Sequence, residues 1–307
     1  MNWKPTIKGF KAYLQLERSL SKNSVENYLR DVQKLVTFLE IHQYDLAVTE
    51  VNVEHLTQFV QWINEIGLGA NSQARIISGI KTFYKFLLVE DIVDTNPMQQ
   101  LDSPKLKRKI PEVLSYTEIQ AMLATIDLST PHGLRNRAML ETLYACGLRV
   151  TELITMRVSN FYPQVAYVKV IGKNDKERIV PIGEEAIKHI QIYIQHVRKK
   201  QKNIHPEHEN YLFLNRRGKK LSRIMVFNIV KEAAALAEIP KNVSPHTFRH
   251  SFATHLVEGG ADLKAVQDML GHESIITTEV YTHLDTDYLR ETIMTFHPRN
   301  KKKEERE

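Results

Sequence analysis

The segment from Val243 to Leu256, VSPHTFRHSFATHL, carries one arginine and three histidines within fourteen residues. Pro245 predicts the first turn of a helix, because proline lacks the N–H group that this turn leaves unpaired. The same turn would carry His246, Arg249 and His250. A buried helix disfavours such residues, and an exposed helix face more often carries Lys and Glu. The segment could therefore bind a metal ion or an anion, or have no binding role.

A metal site is the weaker of the two binding alternatives. His246 and His250 are four residues apart, a spacing at which two histidines on one helical face can bind zinc. The residues between them are Thr, Phe and Arg, so the segment lacks a glutamate base and an acidic third ligand. The positive charge of Arg249 would also repel a cation. We therefore expect no metal and no other cofactor.

An anion suits the start of this helix better. The free backbone N–H groups of the first turn and the positive end of the helix dipole both favour negative charge. Arg249 can bind two phosphate oxygens with its guanidinium fork, and His246 can donate a further hydrogen bond. The segment thus suits a tetrahedral phosphate, although Arg and His also occur at helix starts as ordinary surface residues.

Two other segments add cations that a reactive phosphate site needs. LYACGLRVTELITM (143–156) places Arg149 just after a helix break, and Glu152 lies one turn further on, where it can pair with Arg149. The alternative is an exposed ion pair worth about 0–1 kcal/mol. VIGKNDKERIVPIG (170–183) places Lys173 at the exposed turn of a predicted β-hairpin.

A nucleophile follows in LGHESIITTEVYTHL (270–284). His272 comes just after a predicted helix end, and Tyr281 lies on the next predicted helix. The chain has no G-x-x-x-x-G-K motif and no cluster of acidic metal ligands. The sequence therefore disfavours nucleoside triphosphate chemistry and two-metal chemistry.

The pattern along the chain predicts a mainly α fold in two domains. Residues 1–100 show apolar side chains at three- and four-residue steps, which predicts a domain of four helices. Residues 101–112 form a proline-flanked basic linker that could lie along a phosphate backbone, through Lys105, Lys107, Arg108 and Lys109. Residues 113–297 form a second, mostly helical domain, and residues 298–307 a charged tail.

The second domain is predicted to contain a small β-sheet. Residues 166–171 and 178–182 are rich in Val and Ile and flank a polar turn, which predicts a hairpin. A short strand is possible at residues 212–214. The remainder after residue 184 is predicted to be mostly helical.

The composition is that of a globular cytoplasmic protein. No segment resembles a signal peptide or a membrane span, and the single cysteine cannot form an internal disulfide. The net charge of +6 is compatible with a polyanionic partner. Residues 1–100 carry 10 basic and 11 acidic side chains, so the positive excess lies in the linker and the second domain.

Six positions together resemble the tyrosine recombinase, or integrase, family. They occur in the family's order and context and are Arg149, Lys173, His246, Arg249, His272 and Tyr281. The chain length, the short linker and the ending TFHPRN are most similar to the bacterial Xer subgroup. The hairpin departs from that subgroup, because Asn174 and Asp175 stand where Gly-Asn is usual. We expect an altered turn that keeps Lys173.

The resemblance implies a catalytic role for each of these residues. Tyr281 would attack a DNA phosphate to form a 3′-phosphotyrosyl bond, and Lys173 would protonate the leaving 5′-oxygen. Arg149 and Arg249 would bind the non-bridging oxygens, with Glu152 in support of Arg149. His246 and His272 would donate hydrogen bonds or transfer the tyrosine proton. His250 and His255 are interpreted as packing or supporting residues.

The resemblance also implies an architecture and partners. The two domains would close around double-stranded DNA as a clamp, and four protomers would assemble on two recombination sites as a homo- or heterotetramer. The helix over residues 285–295 would dock on a neighbouring protomer, although it could equally pack on its own domain. Xer-type function would be chromosome dimer resolution, with a second recombinase and an FtsK-type DNA translocase as partners and no membrane contact.

Three other classes of protein are also compatible with the sequence. A phage or transposon integrase of the same family would often carry an additional arm-binding domain, for which residues 1–100 leave little room. A type IB topoisomerase uses similar Arg, Lys, His and Tyr roles but relaxes DNA without exchange. A DNA-binding protein without catalysis would have no use for Tyr281 and Lys173 together.

Overall fold

The computed structural model describes residues 3–101, 104, 112–172, 175–271 and 283–299, with side chains omitted for 283–288. The chain separates into two compact units, Met1–Lys109 and Ile110–Glu307. The division falls within the predicted basic linker. Among the described residues, no helix combines the length and apolar character needed to cross a membrane.

The first unit is a four-helix domain, as the sequence predicts. The helices are α1 (Trp3–Leu16), α2 (Lys22–Ile41), α3 (Val53–Glu65) and α4 (Ala70–Val89), followed by a short 3-10 turn, Pro97–Gln100. Their apolar stripes meet in a core rich in aromatic rings. The rings of Phe10 and Phe83 pack edge to face with centroids 5.1 Å apart, and those of Phe38 and Phe59 with centroids 5.6 Å apart. Burial of these large rings is the main source of stability for so small a unit.

The second unit is mostly helical. Its helices are α5 (Tyr116–Ala124), α6 (Pro131–Ala145), α7 (Val150–Thr155), α8 (Glu184–His196), α9 (Arg223–Leu236), α10 (Pro245–Glu258), α11 (Leu263–Leu270) and α12 (His283–Phe296). Helix α6 is buried on all sides over its second half and packs against α8. It also contacts α5, α7 and α10, so it forms a central element of this unit.

A three-stranded antiparallel sheet lies beside these helices. The strands are β1 (Phe161–Tyr162), β2 (Tyr167–Ile171) and β3 (Glu177–Pro181), in the order β1-β2-β3. Strands β2 and β3 form the predicted hairpin, with Val168 opposite Val180. Strand β1 was not predicted, since two residues give no alternating pattern. The prediction of a short strand at residues 212–214 is wrong, because this segment forms only an isolated bridge from Leu214 to Lys220.

The C-terminal helix α12 packs on its own unit. It contacts α10, α11 and β3, and Leu289 and Ile293 are buried in the common core. Arg299 continues this packing and forms a buried ion pair with Glu141. Arg299 therefore lies against the second unit, where it and Arg137 both pair with the fully buried carboxylate of Glu141. Docking of α12 on a neighbouring protomer stays a prediction.

Candidate active site

The position of Arg149 is set by a glycine turn. Helix α6 ends at Ala145 with Cys146 as its C-cap residue, and Gly147 adopts a left-handed backbone conformation, with φ of +55°. A Cβ atom at Gly147 would lie 2.4 Å from the ring of Phe252, so no other residue fits without displacement. The chain turns here and restarts as α7, with Arg149 as its N-cap residue. The turn leaves the Arg149 side chain about one third exposed, at 35%.

Glu152 is the anionic centre of the site. Glu152 is only 4% exposed, and its carboxylate accepts hydrogen bonds from the backbone N–H and the Nη1 group of Arg149, at 2.8 and 2.9 Å. Burial by itself would raise the pKa of Glu152. The hydrogen bonds and positive charge of Arg178, together with the bonds from Arg149, outweigh burial and lower the pKa below its usual value. Glu152 is therefore ionised at neutral pH.

Arg178 completes this pair and was missed by the sequence reasoning. Its Nη1 and Nη2 groups donate to the two oxygens of Glu152, each at 2.9 Å, and its Nε donates to the Met269 carbonyl at 2.8 Å. Arg178 lies on β3 and Glu152 on α7, so no local spacing connects them. The sequence carries no local signal for this contact, because 26 positions separate Arg178 from Glu152.

Arg249 joins the same cluster from α10. It is 7% exposed, and its guanidinium donates to the carbonyls of Gly147 at 2.9 Å and Leu270 at 2.7 Å. Its Nη1 lies 4.0 Å from an oxygen of Glu152. Burial first, and then the charge of Arg149, lower the pKa of Arg249 to about 10. Arg249 is thus still charged at neutral pH, in a place where an anion would stabilise it.

The structure therefore gathers three guanidinium groups around one carboxylate. Arg149, Arg178 and Arg249 carry +3 and Glu152 carries −1, which leaves a surplus of +2 among these described groups. Arg149 also donates to the Leu270 and Gly271 carbonyls, at 3.4 and 3.3 Å. Three of the five side-chain N–H groups of Arg149 and two of the five of Arg249 therefore already have acceptors. The remaining donors and the surplus charge suit a bound dianion or phosphodiester.

His246 lies at the start of α10, as the sequence predicts. Ser244 is the N-cap residue, and its backbone N–H donates to Thr247 Oγ1 at 3.0 Å. Partial burial, followed by the positive charges of His250, Arg249 and Arg149, lowers the pKa of His246. The imidazole is therefore neutral at pH 7 and retains one donor and one acceptor.

The other two histidines of this helix differ in their surroundings. His250 is exposed. His255 is buried, and its Nδ1 forms a hydrogen bond of 2.8 Å with the hydroxyl of Tyr144. This contact fits the packing role expected for His255.

Several predicted site residues lie outside the described part of the chain. They are Lys173, His272, Tyr281 and the linker residues Lys105, Lys107, Arg108 and Lys109. Two of their chain neighbours border the arginine cluster. A Cβ atom at Gly172 would lie 3.6 Å from an oxygen of Glu152, and the Gly271 carbonyl accepts a hydrogen bond from Arg149.

One group of potential metal ligands occurs among the described residues. The ligand atoms of His205, Glu207 and His208 lie within 4.8 Å of one another, on the loop between α8 and α9. The group contains no residue of the arginine cluster. It therefore does not alter the expectation that the cluster itself acts through guanidinium groups.

Comparison with known proteins defines the class of this chain. Residues 112–287 match the phage integrase family, and residues 7–91 match the phage integrase N-terminal SAM-like domain. The chain therefore belongs to the phage integrase family. It is 44% identical over 300 residues to the tyrosine recombinase XerD of Chlorobaculum tepidum, covering 97% of both chains. It is 41% identical over 295 residues to XerD of Staphylococcus saprophyticus, covering 95% of this chain and 98% of the relative.

Solved structures share the fold at lower identity. A lambda integrase dimer bound to a COC′ core site gives a TM-score of 0.69 at 16% identity, over 92% of this chain and 100% of that chain. The XerH recombinase in a post-cleavage complex with a palindromic difH substrate gives a TM-score of 0.67 at 21% identity, over 90% of this chain and 81% of that chain. The XerD relatives show that the chain is a site-specific tyrosine recombinase of the Xer type. The phage or transposon integrase, topoisomerase and non-catalytic alternatives are not favoured.

Proposed function

We propose that this recombinase cuts and rejoins double-stranded DNA through a covalent bond between Tyr281 and a 3′-phosphate. The observation that carries the proposal is the convergence of Arg149, Arg178 and Arg249 on the buried Glu152, with a surplus charge of +2. Preorganised positive charge stabilises the extra negative charge of a five-coordinate phosphorus in the transition state. Guanidinium groups can supply this stabilisation without a metal ion.

In the proposed reaction, the Tyr281 oxygen attacks phosphorus and the bond from phosphorus to the 5′-oxygen breaks. Lys173 gives a proton to the leaving 5′-oxygen, so a free 5′-hydroxyl forms. Tyrosine has a reference pKa of about 10, so the phenol must lose its proton as it attacks. His246 or His272 accepts that proton, and the lowered pKa of His246 supports this role because the neutral imidazole is available as a base.

Energy for rejoining is retained in the phosphotyrosyl bond. A second 5′-hydroxyl attacks the same phosphorus, and Tyr281 leaves with the proton restored. The two transfers are chemically alike, so the overall exchange needs neither ATP nor a metal. Arg149 and Arg249 hold the non-bridging oxygens in both steps.

The XerD relatives support a wider role. We propose that the chain resolves chromosome dimers in the cytoplasm before cell division, as a tetramer on two recombination sites. The partner protomers are further copies of this chain or a second Xer-type recombinase, and an FtsK-type translocase activates the complex. The proposed domains are residues 1–100 and 113–297, joined by the linker at 101–112.

The test is covalent capture on a nicked suicide DNA that carries the native recombination site. Wild type, Tyr281→Phe and Tyr162→Phe are incubated with partner protein and chelator, then separated under denaturing conditions. Tyr162 is 43% exposed and serves as the matched control. We expect a protein–DNA adduct for wild type and Tyr162→Phe but not for Tyr281→Phe. An adduct with Tyr281→Phe, or one that disappears with chelator, contradicts the mechanism.

A further inference from the structure

A second cationic site lies at the opposite end of α6 from the arginine cluster. A cavity of about 410 Å³ lies between the start of α6, the end of α8 and the loop that follows α8. This volume is within the range of ligand pockets, roughly 300–1,000 Å³. Arg135 in its wall and Ala145 at the end of α6 are ten residues apart, or about 15 Å along the helix at 1.5 Å per residue. The cavity is therefore separate from the active site.

The cavity has a buried arginine without a counter-ion. Arg135 is 7% exposed, and no carboxylate of the described residues forms an ion pair with it. Its Nε and Nη2 groups donate to Asn136 Oδ1 at 3.1 and 2.8 Å, and its Nη1 donates to the Leu214 carbonyl at 3.2 Å. Two of its five N–H groups then have no acceptor in the described part of the chain. Burial of a guanidinium without an anion is unfavourable, so the arrangement favours a bound anion.

Tyr193 provides a second buried donor beside Arg135. It is 1% exposed, and its hydroxyl oxygen accepts a hydrogen bond from the Leu214 backbone N–H at 3.1 Å. Burial raises the pKa of Tyr193, so the phenol keeps its proton. That proton has no acceptor among the described residues. The floor of the cavity thus presents both a charged and a neutral donor.

The rim of the cavity is positively charged or titratable. His132, His196, Lys200 and Arg216 are exposed there, and the described lining contains no aspartate or glutamate. Partial burial, followed by the charges of Arg135 and Arg216, lowers the pKa of His132. The local potential is therefore positive, which attracts an anion from solution.

Side-chain amide groups join the two chain segments that line the outer wall of the cavity. Gln201 Nε2 donates to the Asn215 carbonyl at 2.9 Å, and Asn203 Nδ2 donates to the Arg216 carbonyl at 2.9 Å. Asn215 Oδ1 accepts from the backbone N–H of Arg217 at 2.8 Å. These bonds fix the rim in the absence of a ligand, so little ordering is required on binding.

We propose that this cavity binds the phosphate group of a small molecule, with the phosphate on Arg135 and Tyr193 and the rim cations around it. Inorganic phosphate and a nucleoside monophosphate share this chemistry. The cavity volume exceeds what one phosphate fills, so the organic part of a mononucleotide can occupy the outer half. The site is independent of the strand-transfer reaction and of the proposed roles of Tyr281 and Lys173.

The test is a titration of the full-length protein with inorganic phosphate and, separately, with AMP. The ionic strength is held constant with sodium chloride, and the imidazole proton signals of His132 and His196 are followed by NMR at pH 7. We expect saturable shifts with both ligands and none with added chloride. Tighter binding of AMP assigns the outer half to the nucleoside, whereas equal affinity assigns the site to phosphate alone. Shifts that increase linearly without saturation overturn the proposal.

Two rim variants and two control variants decide whether the rim residues bind the ligand. Arg216→Gln and Lys200→Gln each remove one exposed rim cation and should weaken binding about fivefold. Arg217→Gln is the matched control, because this neighbouring arginine does not line the cavity. Arg149→Gln should leave the same signals unchanged, since it alters the distant active site. Equal affinity in the rim variants and the control contradicts the site.

Arg135→Lys tests the floor directly. The variant keeps the charge but removes the planar fork, so phosphate binding should fall at least about tenfold. The folded state of the variant is checked by circular dichroism. If this buried substitution prevents folding, the two rim variants still decide the outcome.

Discussion

Arg178 and Glu152 form a two-point ion pair, in which each carboxylate oxygen accepts one N–H group at 2.9 Å. The pair connects β3 to α7, two elements that the chain order separates. It also holds Glu152 in the position from which that carboxylate orients Arg149. Arg149, which we propose binds the scissile phosphate, is thus positioned by a second arginine that acts through a shared carboxylate.

Removal of the central charge should destabilise the second unit. Glu152→Gln keeps the shape of the side chain but leaves three arginines without their carboxylate. Loss of one partner of a buried ion pair costs about 3–5 kcal/mol, so we expect a decrease in the free energy of unfolding near the lower end of that range. Urea denaturation followed by circular dichroism measures it. Glu177→Gln, which breaks the exposed pair with Lys169, is the control and should leave the free energy of unfolding nearly unchanged.

Arg178→Lys should slow cleavage more than it weakens DNA binding. Lysine keeps the charge but cannot donate to both oxygens of Glu152 in one plane. Loss of one charged hydrogen bond of about 1.5–3 kcal/mol corresponds to roughly 10- to 100-fold in the rate of adduct formation. Single-turnover capture on suicide DNA gives the rate, and a gel-shift assay gives the affinity. Arg217→Lys is the exposed control, and an equal effect of both substitutions would argue against a positioning role.

Gly147→Ala should be more damaging than another glycine substitution at positive φ. Gly67 has φ of +76° with no atom within 4 Å of a new Cβ, so Gly67→Ala measures backbone strain alone, about 1–2 kcal/mol. Gly147→Ala adds the overlap with Phe252, a further cost of about 1–3 kcal/mol. Thermal unfolding of both variants measures the difference. Equal losses would show that the Phe252 ring moves freely.

Stability should fall in mild acid because of His297. Burial, then the charge of His255, lowers the pKa of His297 to about 3. The unfolded chain binds a proton below about pH 6.5, whereas the folded chain does not until about pH 3. The free energy of unfolding should therefore decrease by up to about 1.4 kcal/mol per pH unit as pH falls from 6 to 4. His297→Phe, which keeps the ring contacts with Tyr144 and Phe252, should reduce that slope in denaturation curves between pH 4 and 7.

The basic linker should contribute to the salt dependence of DNA binding. Replacement of Lys105, Lys107, Arg108 and Lys109 by Gln removes four positive charges. If all four lie on phosphates, the slope of log K against log salt concentration should decrease in magnitude by about 3–4. Binding isotherms at several salt concentrations measure the slope. An unchanged slope would show that the linker does not contact the DNA backbone.

The sequence predicted the elements whose patterns are local. The four helices predicted for residues 1–100 are present, and the hairpin of β2 and β3 followed from its Val and Ile residues. The ion pair of Arg149 and Glu152 was predictable because both belong to one helical turn. These features depend on residues at most a few positions apart.

The ion pairs that the sequence did not predict depend on contacts between distant segments of the chain. Arg178 meets Glu152 across 26 positions, and Arg299 meets Glu141 across 158. Arg178 follows Lys176 and Glu177 at the start of β3, and next to such charged residues an arginine normally indicates an exposed face. Only the folded chain shows that its head group is buried against a carboxylate. Charge complementarity over such separations leaves no periodic signal in a single sequence.

Main-chain atoms provide much of the support for the side chains of Arg149 and Arg249. The carbonyls of Gly147, Leu270 and Gly271 accept from Arg149 or Arg249, and every amino acid carries a carbonyl. A saturation mutational scan changes only side chains. Every substitution of Leu270 keeps the carbonyl that accepts these hydrogen bonds, so the scan will detect only the loss of side-chain packing there. At Gly147 and Gly271, whose φ angles are +55° and +63°, the scan will show intolerance because added atoms shift the backbone itself. Such a scan will therefore detect the main-chain support for the two arginines mainly through the intolerance of Gly147 and Gly271 to substitution.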